Sequence, residues 1–434
     1  MTTAWHAELA WLGGPDLARD VLLVVDDVTG RLVEVTAGAA VPEGARSLAG
    51  IVLPGLVNRH SHAFHRALRG RAAGDDFWGW RAQMYDVADR IDPDVMHRLA
   101  RATFGEMALA GITEVHEFHY LHHDRSGRPY ADPNAMSHAI ARAAGDAGVR
   151  LVLVDTCYLR AGFDDAPLDP VQQRFSDGSV DVWAHRLDAF APPAGVRVAA
   201  GAHSVRALAE DELTALAAEA RRRRLDLHLH LSEQPRENDD CRAATGRTPA
   251  QLVADCGLLG PQTTAVHATH LTGDDIARLG QSSTTICLCP TTERDLGDGV
   301  GPAAALAAAG CPLGVGSDSQ AVIDLFEEAR AIEADERLTS GRRGLHAPPA
   351  LLAAATASGG LAAGAPADLC VIDPASVRLA GITAVGGAAH VIAAAAPADV
   401  TDVVAGGRAV VREREHVALD VARELRDVLR QVWS

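Results

Sequence analysis

Two histidines separated by one residue, His60 and His62, follow an apolar run in "LPGLVNRHSHAFHRALRG". Residues i and i+2 of an extended strand project from one face. Their imidazoles can therefore share a single ion at the ~2.0–2.1 Å of a zinc–nitrogen bond. Alone, such a pair could equally be satisfied by backbone or water. It has company. A later run ends "HLHLSE", which puts His228 and His230 on one face with Glu233 just beyond; another carries His267 and His270 in "VHATH", and a further one ends "GSDS" with Asp318 at its tip. Imidazoles and carboxylates are the donors of a hydrolytic metal centre, and the carboxylates can also move protons.

These residues need elements that bring them together. Apolar, β-branched runs recur at 51–58, 112–118, 149–156, 196–204, 225–233, 263–270, 284–290 and 311–319. Helix-like segments lie between them, among them "DELTALAAEARRRR" and "AAALAAAG". Eight buried strands alternating with helices predict an α/β fold, a (β/α)8 TIM-like barrel over 53–359 whose active site sits at the C-terminal ends of its strands. The candidates stand after the first, fifth, sixth and eighth runs, where such a barrel makes them converge. The ends of the chain follow another pattern. "VLLVVDDVTGRLVEVTAG" reads as a hairpin turning at Thr29-Gly30, and short strands with Gly-rich turns resume near Asp368. Residues 1–52 and 360–434 are expected to form one small β-sandwich domain, with 350–366 as a connector.

Composition narrows the chemistry. The chain has no lysine, so all 40 basic residues are arginine. A lysine Schiff base, a P-loop lysine and a lysine-derived metal bridge are excluded. A net charge of −17 argues against a nucleic-acid partner. It also means that an anionic substrate needs local arginines or a metal to offset the field of the whole molecule. "MTTAWHAELAWLGG" lacks the pattern of a signal peptide, and no apolar run reaches the ~20 residues of a membrane span. Seven cysteines without framework spacing fit a reducing compartment, so a cytoplasmic location with no membrane contact is expected.

The pattern of His-x-His after strand one, His after strands five and six, and Asp after strand eight resembles the amidohydrolase superfamily. Binuclear members bridge two metals with a carboxylated lysine after strand four, where this chain reads "GAHSVR". Mononuclear, deaminase-like members carry His-x-x-Glu after strand five, which His230-Leu231-Ser232-Glu233 matches. The resemblance implies one divalent ion, zinc by preference, held by His60, His62, His230 and Asp318, with water completing the shell. His228 competes as a ligand, although it sits lower on its strand with no Glu three residues on; His270 is expected to be structural. Asp318 would accept a proton from the attacking water, Glu233 would protonate a leaving nitrogen, and His267 would polarise the reacting centre.

Four more segments, "HSHAFHRAL", "DDFWGWRAQMY", "EFHYLHHD" and "AHSVRAL", join "LHLSEQ", "AVHATHLT" and "GSDSQ" in a finer likeness. Together they resemble the formimidoylglutamate deiminase family over roughly residues 50 to 330. That family hydrolyses N-formimino-L-glutamate to N-formyl-L-glutamate and ammonia in bacterial histidine degradation. The likeness implies a small dicarboxylate substrate and a homodimer. Arg206 and Tyr120 would take one carboxylate, Arg81 would assist, His203 would line the same pocket and His65 would touch the substrate. Blander readings stand beside these: Arg81 stacked on tryptophan, Arg206 in a salt bridge at a helix N-terminus, Tyr120 as a loop aromatic.

The chain departs from that family at three places. Gln is usual where His65 stands, which would make a substrate contact vary with pH. Arg294 and Asp295 replace small or amide residues, and the segment 355–369 is short. Competing functions are a deaminase of guanine, cytosine or a thioadenosine, an imidazolonepropionase-like ring opening, and a non-catalytic scaffold. The purine-type substrates are flat and mostly uncharged, whereas "HYLHHD" and "SVR" offer carboxylate donors. A decayed scaffold would have lost a ligand or the proton-carrying acid.

Overall fold

The computed structural model describes residues 1–71, 77–164 and 166–434, the side chains of residues 77 and 78 aside. Asp75 and Asp76 of "DDFWGWRAQMY" lie outside the described residues. Four strands open the chain: β1 (Thr2–Ala10), β2 (Ala18–Asp26), β3 (Arg31–Thr36) and β4 (Arg46–Pro54). β2 and β3 are the antiparallel hairpin expected from the sequence.

Eight strands then alternate with helices: β5 (Leu56–Ser61), β6 (Ile112–His119), β7 (Arg150–Cys157), β8 (Val196–Ala202), β9 (Leu227–Leu231), β10 (Thr263–His267), β11 (Thr285–Leu288) and β12 (Leu313–Val315). They pair in parallel and in strict chain order. β6 is buried along its whole length, as a strand covered on both faces must be. The intervening helices carry their own start and stop signals. Glu210–Arg223 opens on three acids and closes on three arginines, each complementing the helix dipole at its end.

The barrel closes where β12 returns to β5, and the closure runs through one residue. The Asp318 N–H donates to the His60 carbonyl at 3.0 Å, and the His62 N–H donates to the Asp318 carbonyl at 3.1 Å. Gly316 makes the approach possible, because a Cβ there would stand 2.7 Å from the His60 carbonyl oxygen.

The two ends of the chain build a second eight-stranded sheet, in which β13 (Leu369–Ile372), β14 (Val400–Ala405), β15 (Arg408–Arg412) and β16 (Glu415–His416) join the first four. It folds over a core that includes Trp5, Leu23, Leu32 and Val371. A Cβ on Gly30 would meet the Gly406 carbonyl at 2.5 Å, so the β2–β3 turn needs glycine where it abuts the β14–β15 turn. The final helix, Val421–Trp433, leaves this sheet for the barrel, where Trp433 Nε1 donates to the Ala67 carbonyl at 3.0 Å.

Two expectations need correction. The run 51–58 is two strands, with Ile51–Pro54 pairing with β13 in the terminal sheet and the barrel starting at Leu56. The chain crosses over at Gly55, where a Cβ would lie 2.1 Å from Thr113 Oγ1. The connector 350–366 is partly helix: Pro348–Thr356 buries Leu351, Leu352 and Ala355. Its Ala-rich composition is good helix sequence, with proline at the first turn. Among the described residues no helix is long and apolar enough to cross a membrane.

Candidate metal centre and active site

The ends of β5 and β9 and the turn after β12 bring His60, His62, His230 and Asp318 together, with one donor atom from each lying within 4.8 Å of the others. His60 Nε2 is 3.1 Å from His230 Nε2 and 3.3 Å from Asp318 Oδ1, and His62 Nε2 is 3.4 Å from that same oxygen. Donors about 2.0–2.1 Å from a tetrahedral zinc stand about 3.3–3.4 Å apart, so the spacing fits.

Tautomers sharpen the fit. His62 Nδ1–H donates to the Phe118 carbonyl at 2.9 Å, and His230 Nδ1–H donates to the His203 carbonyl at 3.0 Å. Both bonds leave a bare lone pair on Nε2, directed at other lone pairs and a carboxylate. Such an arrangement calls for a cation, and the second bond of each imidazole orients it as metal-binding histidines are oriented. Burial and the neighbouring histidines hold His60 well below the ordinary imidazole range, and burial takes His62 down to about 3, so both stay neutral and able to ligate. Burial pushes Asp318 up to about 7, a cost that a divalent cation in the cluster would offset.

The strand ends are locally strained. Ser232, His267 and Asp318 have φ of +50°, +68° and +42°, a region that non-glycine residues rarely adopt. Gln320 holds the last of these: its Nε2 donates to the Asp318 carbonyl at 2.9 Å and to Ser61 Oγ at 3.0 Å. Ser61 in turn donates to the buried Glu117 at 2.7 Å. A polar chain thus ties β5, β6 and the turn after β12 together beneath the ligands.

His267 projects beside the cluster without joining it. Its Nδ1 is 3.2 Å from Glu293, and its buried Nε2, which has no hydrogen-bond partner among the described residues, stands 3.7 Å from Asp318 Oδ2 and 3.9 Å from Glu233 Oε1. Burial opposes a charge on this ring, but the Glu293 bond and the carboxylates of Glu233 and Asp318 outweigh it and raise its pKa well above the ordinary value. Burial likewise opposes a charge on Glu233, yet Arg206 and the nearby histidines bring it down to about 2. The site therefore sets an ionised carboxylate against a protonated imidazole.

Above the cluster opens a cleft of about 710 Å³. His65, Arg81, Tyr120, His203, Arg206 and Glu233 all line it, so every expected substrate contact shares one cavity with the metal cluster. Their arrangement adds detail. Arg206 Nη2 donates to Glu233 at 2.7 Å, and its Nε lies 3.3 Å from Glu237, so the arginine expected to hold a carboxylate already holds two. Its Nη1 has no protein partner among the described residues. Arg81 lies over the Tyr85 ring at 5.4 Å. His65 Nε2 is 2.9 Å from the Tyr120 hydroxyl, and burial holds its pKa well below the ordinary value. The expectation that its charge varies near neutral pH is corrected: this histidine is neutral.

His228 lies lower in the barrel beside His116, ring centroids 5.3 Å apart, away from the four ligands. His270 Nε2–H donates to the Asp298 carbonyl at 2.7 Å. Arg294 is exposed and pairs with Asp335 and Glu327, outside the cleft. Sequence reasoning missed Glu293, Tyr158 and Arg236. Glu293 also accepts the Cys289 N–H at 2.9 Å, where a helix begins at Pro290, and an acid in a first helical turn was the available signal. Tyr158 and Arg236 reach the cleft from a loop and a helix start, and nothing in their spacing marks them.

Residues 51–410 match the amidohydrolase family. The chain is 37% identical over 398 residues to the formimidoylglutamate deiminase of Pseudomonas aeruginosa, covering 86% of this chain and 87% of that one. It is 30% identical over 388 residues to the 8-oxoguanine deaminase of the same organism, covering 83% of each. Among solved structures, an amidohydrolase from Brucella melitensis superposes with a TM-score of 0.89 at 30% identity, covering 100% of both chains.

Proposed function

The chain belongs to the amidohydrolase family, and from that premise we propose that it is a zinc-dependent formimidoylglutamate deiminase. The observation that carries the reading is the cleft: Arg81, Arg206 and Arg236 gather in one cavity over the His/Asp cluster of a protein whose net charge is −17. Arginine presents a planar fork suited to carboxylate. A small dicarboxylate therefore suits this cavity better than a nucleic acid or a membrane surface.

A zinc ion held by His60, His62, His230 and Asp318 would supply Lewis acidity and lower the pKa of an adjacent water towards ~7. The chain's own groups handle the remaining protons. Oxygen from water adds to the formimidoyl carbon, and the proton it sheds passes to a carboxylate, Asp318 or Glu233. Glu233, ionised at rest by Arg206, is ready to take that proton and deliver it to the departing nitrogen. Protonated His267 donates to the charge that develops on oxygen. The carbon–nitrogen bond breaks, the C=O of the formyl group forms, and the net change is one amidine and one water converted to one amide and one ammonia. Arg206 joins the two halves of the site, because its Nε and Nη2 bind acids beside the chemistry while Nη1 remains for a substrate carboxylate.

The test is ammonia release by the zinc-loaded protein. Turnover of N-formimino-L-glutamate well above that of 8-oxoguanine and methylthioadenosine is expected. A preference for a purine would overturn the substrate assignment and leave the family membership intact.

A further inference from the structure

Asp318 presents its two oxygens to different partners. Oδ1 faces His60 and His62 at 3.3 and 3.4 Å, whereas Oδ2 faces His267 Nε2 at 3.7 Å. That nitrogen is buried and has no hydrogen-bond partner among the described residues, and the ring's other nitrogen is committed to Glu293. A third donor completes the group: Cys289, fully buried at the end of β11, places its sulfur within 4.8 Å of the donor atoms of both His267 and Asp318. Cys289 also packs with Val266 and Cys287 in a small buried cluster.

We propose that His267, Cys289 and Asp318 form a second, sulfur-containing metal subsite that takes an additional zinc-type divalent ion and thereby stops turnover. One imidazole, one thiolate and one carboxylate are a complete protein ligand set for an open tetrahedral site. The sulfur selects zinc, cobalt or cadmium over magnesium or calcium, which prefer oxygen. A carboxylate shared through its two oxygens suits metal pairs about 3.5–4 Å apart, so Asp318 would bridge the two ions. On binding, the Cys289 S–H bond breaks, its electron pair goes to the metal and its proton to solvent, and the protonated His267 ring likewise releases its Nε2 proton so that this lone pair can ligate. Because binding releases protons, occupancy of the subsite rises with pH as well as with metal concentration. Inhibition follows because the second ion takes the His267 nitrogen that the proposed reaction uses; that part rests on the role given to His267.

Cobalt titration of the metal-stripped full-length protein tests this. The first equivalent should bind without a thiolate-to-metal charge-transfer band in the near ultraviolet. The second should produce the band and abolish turnover. Cys289→Ser should lose both the band and the second equivalent while Cys287→Ser keeps them. Zinc-edge absorption on the unaltered enzyme gives the same answer without a variant, as a Zn–S distance of about 2.3 Å that appears only at two equivalents. Binding of one equivalent alone, a second without sulfur, a band already present at the first, or full turnover with sulfur-bound metal would each overturn the proposal. Failure of the substrate assignment is seen separately, as absence of formiminoglutamate turnover at one equivalent.

Discussion

His60 and Asp318 are joined twice, once through backbone and once through side chain. The Asp318 N–H donates to the His60 carbonyl at 3.0 Å, and His60 Nε2 stands 3.3 Å from Asp318 Oδ1. The seam that closes the barrel is thus also the step that assembles the His/Asp cluster. Residues more than 250 positions apart in sequence reach donor spacing because the turn after the eighth strand bridges to the end of the first.

Asp318→Asn keeps the backbone half of that link and removes the charge. The variant is expected to fold with an unchanged circular dichroism spectrum, to bind zinc weakly by metal analysis, and to lose about 10³-fold or more in kcat, the scale of losing a proton-transfer group. Near-normal metal content with near-normal rate would refute the assignment of Asp318.

Arg206 controls Glu233. With the arginine present, the carboxyl is held at about 2 and is ionised throughout the working range. Arg206→Ala removes that hold, so the Glu233 pKa rises and the acid limb of the pH–rate profile moves up towards neutrality. Loss of charge-assisted bonds to substrate should also raise KM about 10–100-fold. Glu233→Gln should instead lower kcat by about 10²–10⁴-fold with metal content unchanged. An acid limb that stays put in Arg206→Ala would break the proposed coupling.

His65→Gln restores the residue usual in the resembling family. The histidine is neutral and its Nε2 meets the Tyr120 hydroxyl, a bond that a glutamine amide can replace. KM for formiminoglutamate should change by less than about tenfold, within the net worth of one neutral hydrogen bond. The unaltered enzyme should show no kinetic titration from this ring between pH 6 and 7. A titration near neutrality that disappears in His65→Gln would show the ring to be ionisable after all.

At the opposite end of the barrel, Glu114 sits among His116, Arg150 and Arg197. Burial opposes its charge, but the His116 bond and the two arginines outweigh it and lower its pKa from 4.5 to about 2. A depressed carboxyl stabilises the fold above its unfolded pKa, and that stability is lost as pH falls through the folded value. A shift from 4.5 to about 2 corresponds to on the order of 3 kcal/mol, lost between those pH values. Glu114→Gln should lower Tm at pH 6 and flatten its fall between pH 4.5 and 2.5. Parallel Tm profiles for the two proteins would refute this.

The reaction class was legible in residue types and spacing. His60 and His62 share a face by strand period, His230 and Glu233 recur at a set interval, and the absence of lysine removes the bridged two-metal arrangement. Strand and helix periodicity likewise carried the barrel, because buried parallel strands read as continuous apolar runs. Legibility failed where long-range packing decides. The run 51–57 is uniformly apolar, and only its pairing, Ile51–Pro54 with β13 and Leu56 onward with β6, shows that it serves two sheets. The 350–356 segment is helix-prone by composition, but which of its side chains are buried, Leu351, Leu352 and Ala355 among them, is settled by packing.

The sequence by itself determined which donors exist, their pairing along single strands, and so the chemistry open to this protein. Tertiary structure decided their electrical state. Arg206 and Glu233 are 27 residues apart, as are Thr292 and Ser319, and no periodicity reveals which of such pairs meet. Whether Glu233 is ionised, His65 neutral and His267 charged depends on burial and on partners brought from other strands. Those quantities are set by distance and dielectric in three dimensions, so they come into being only when the barrel closes.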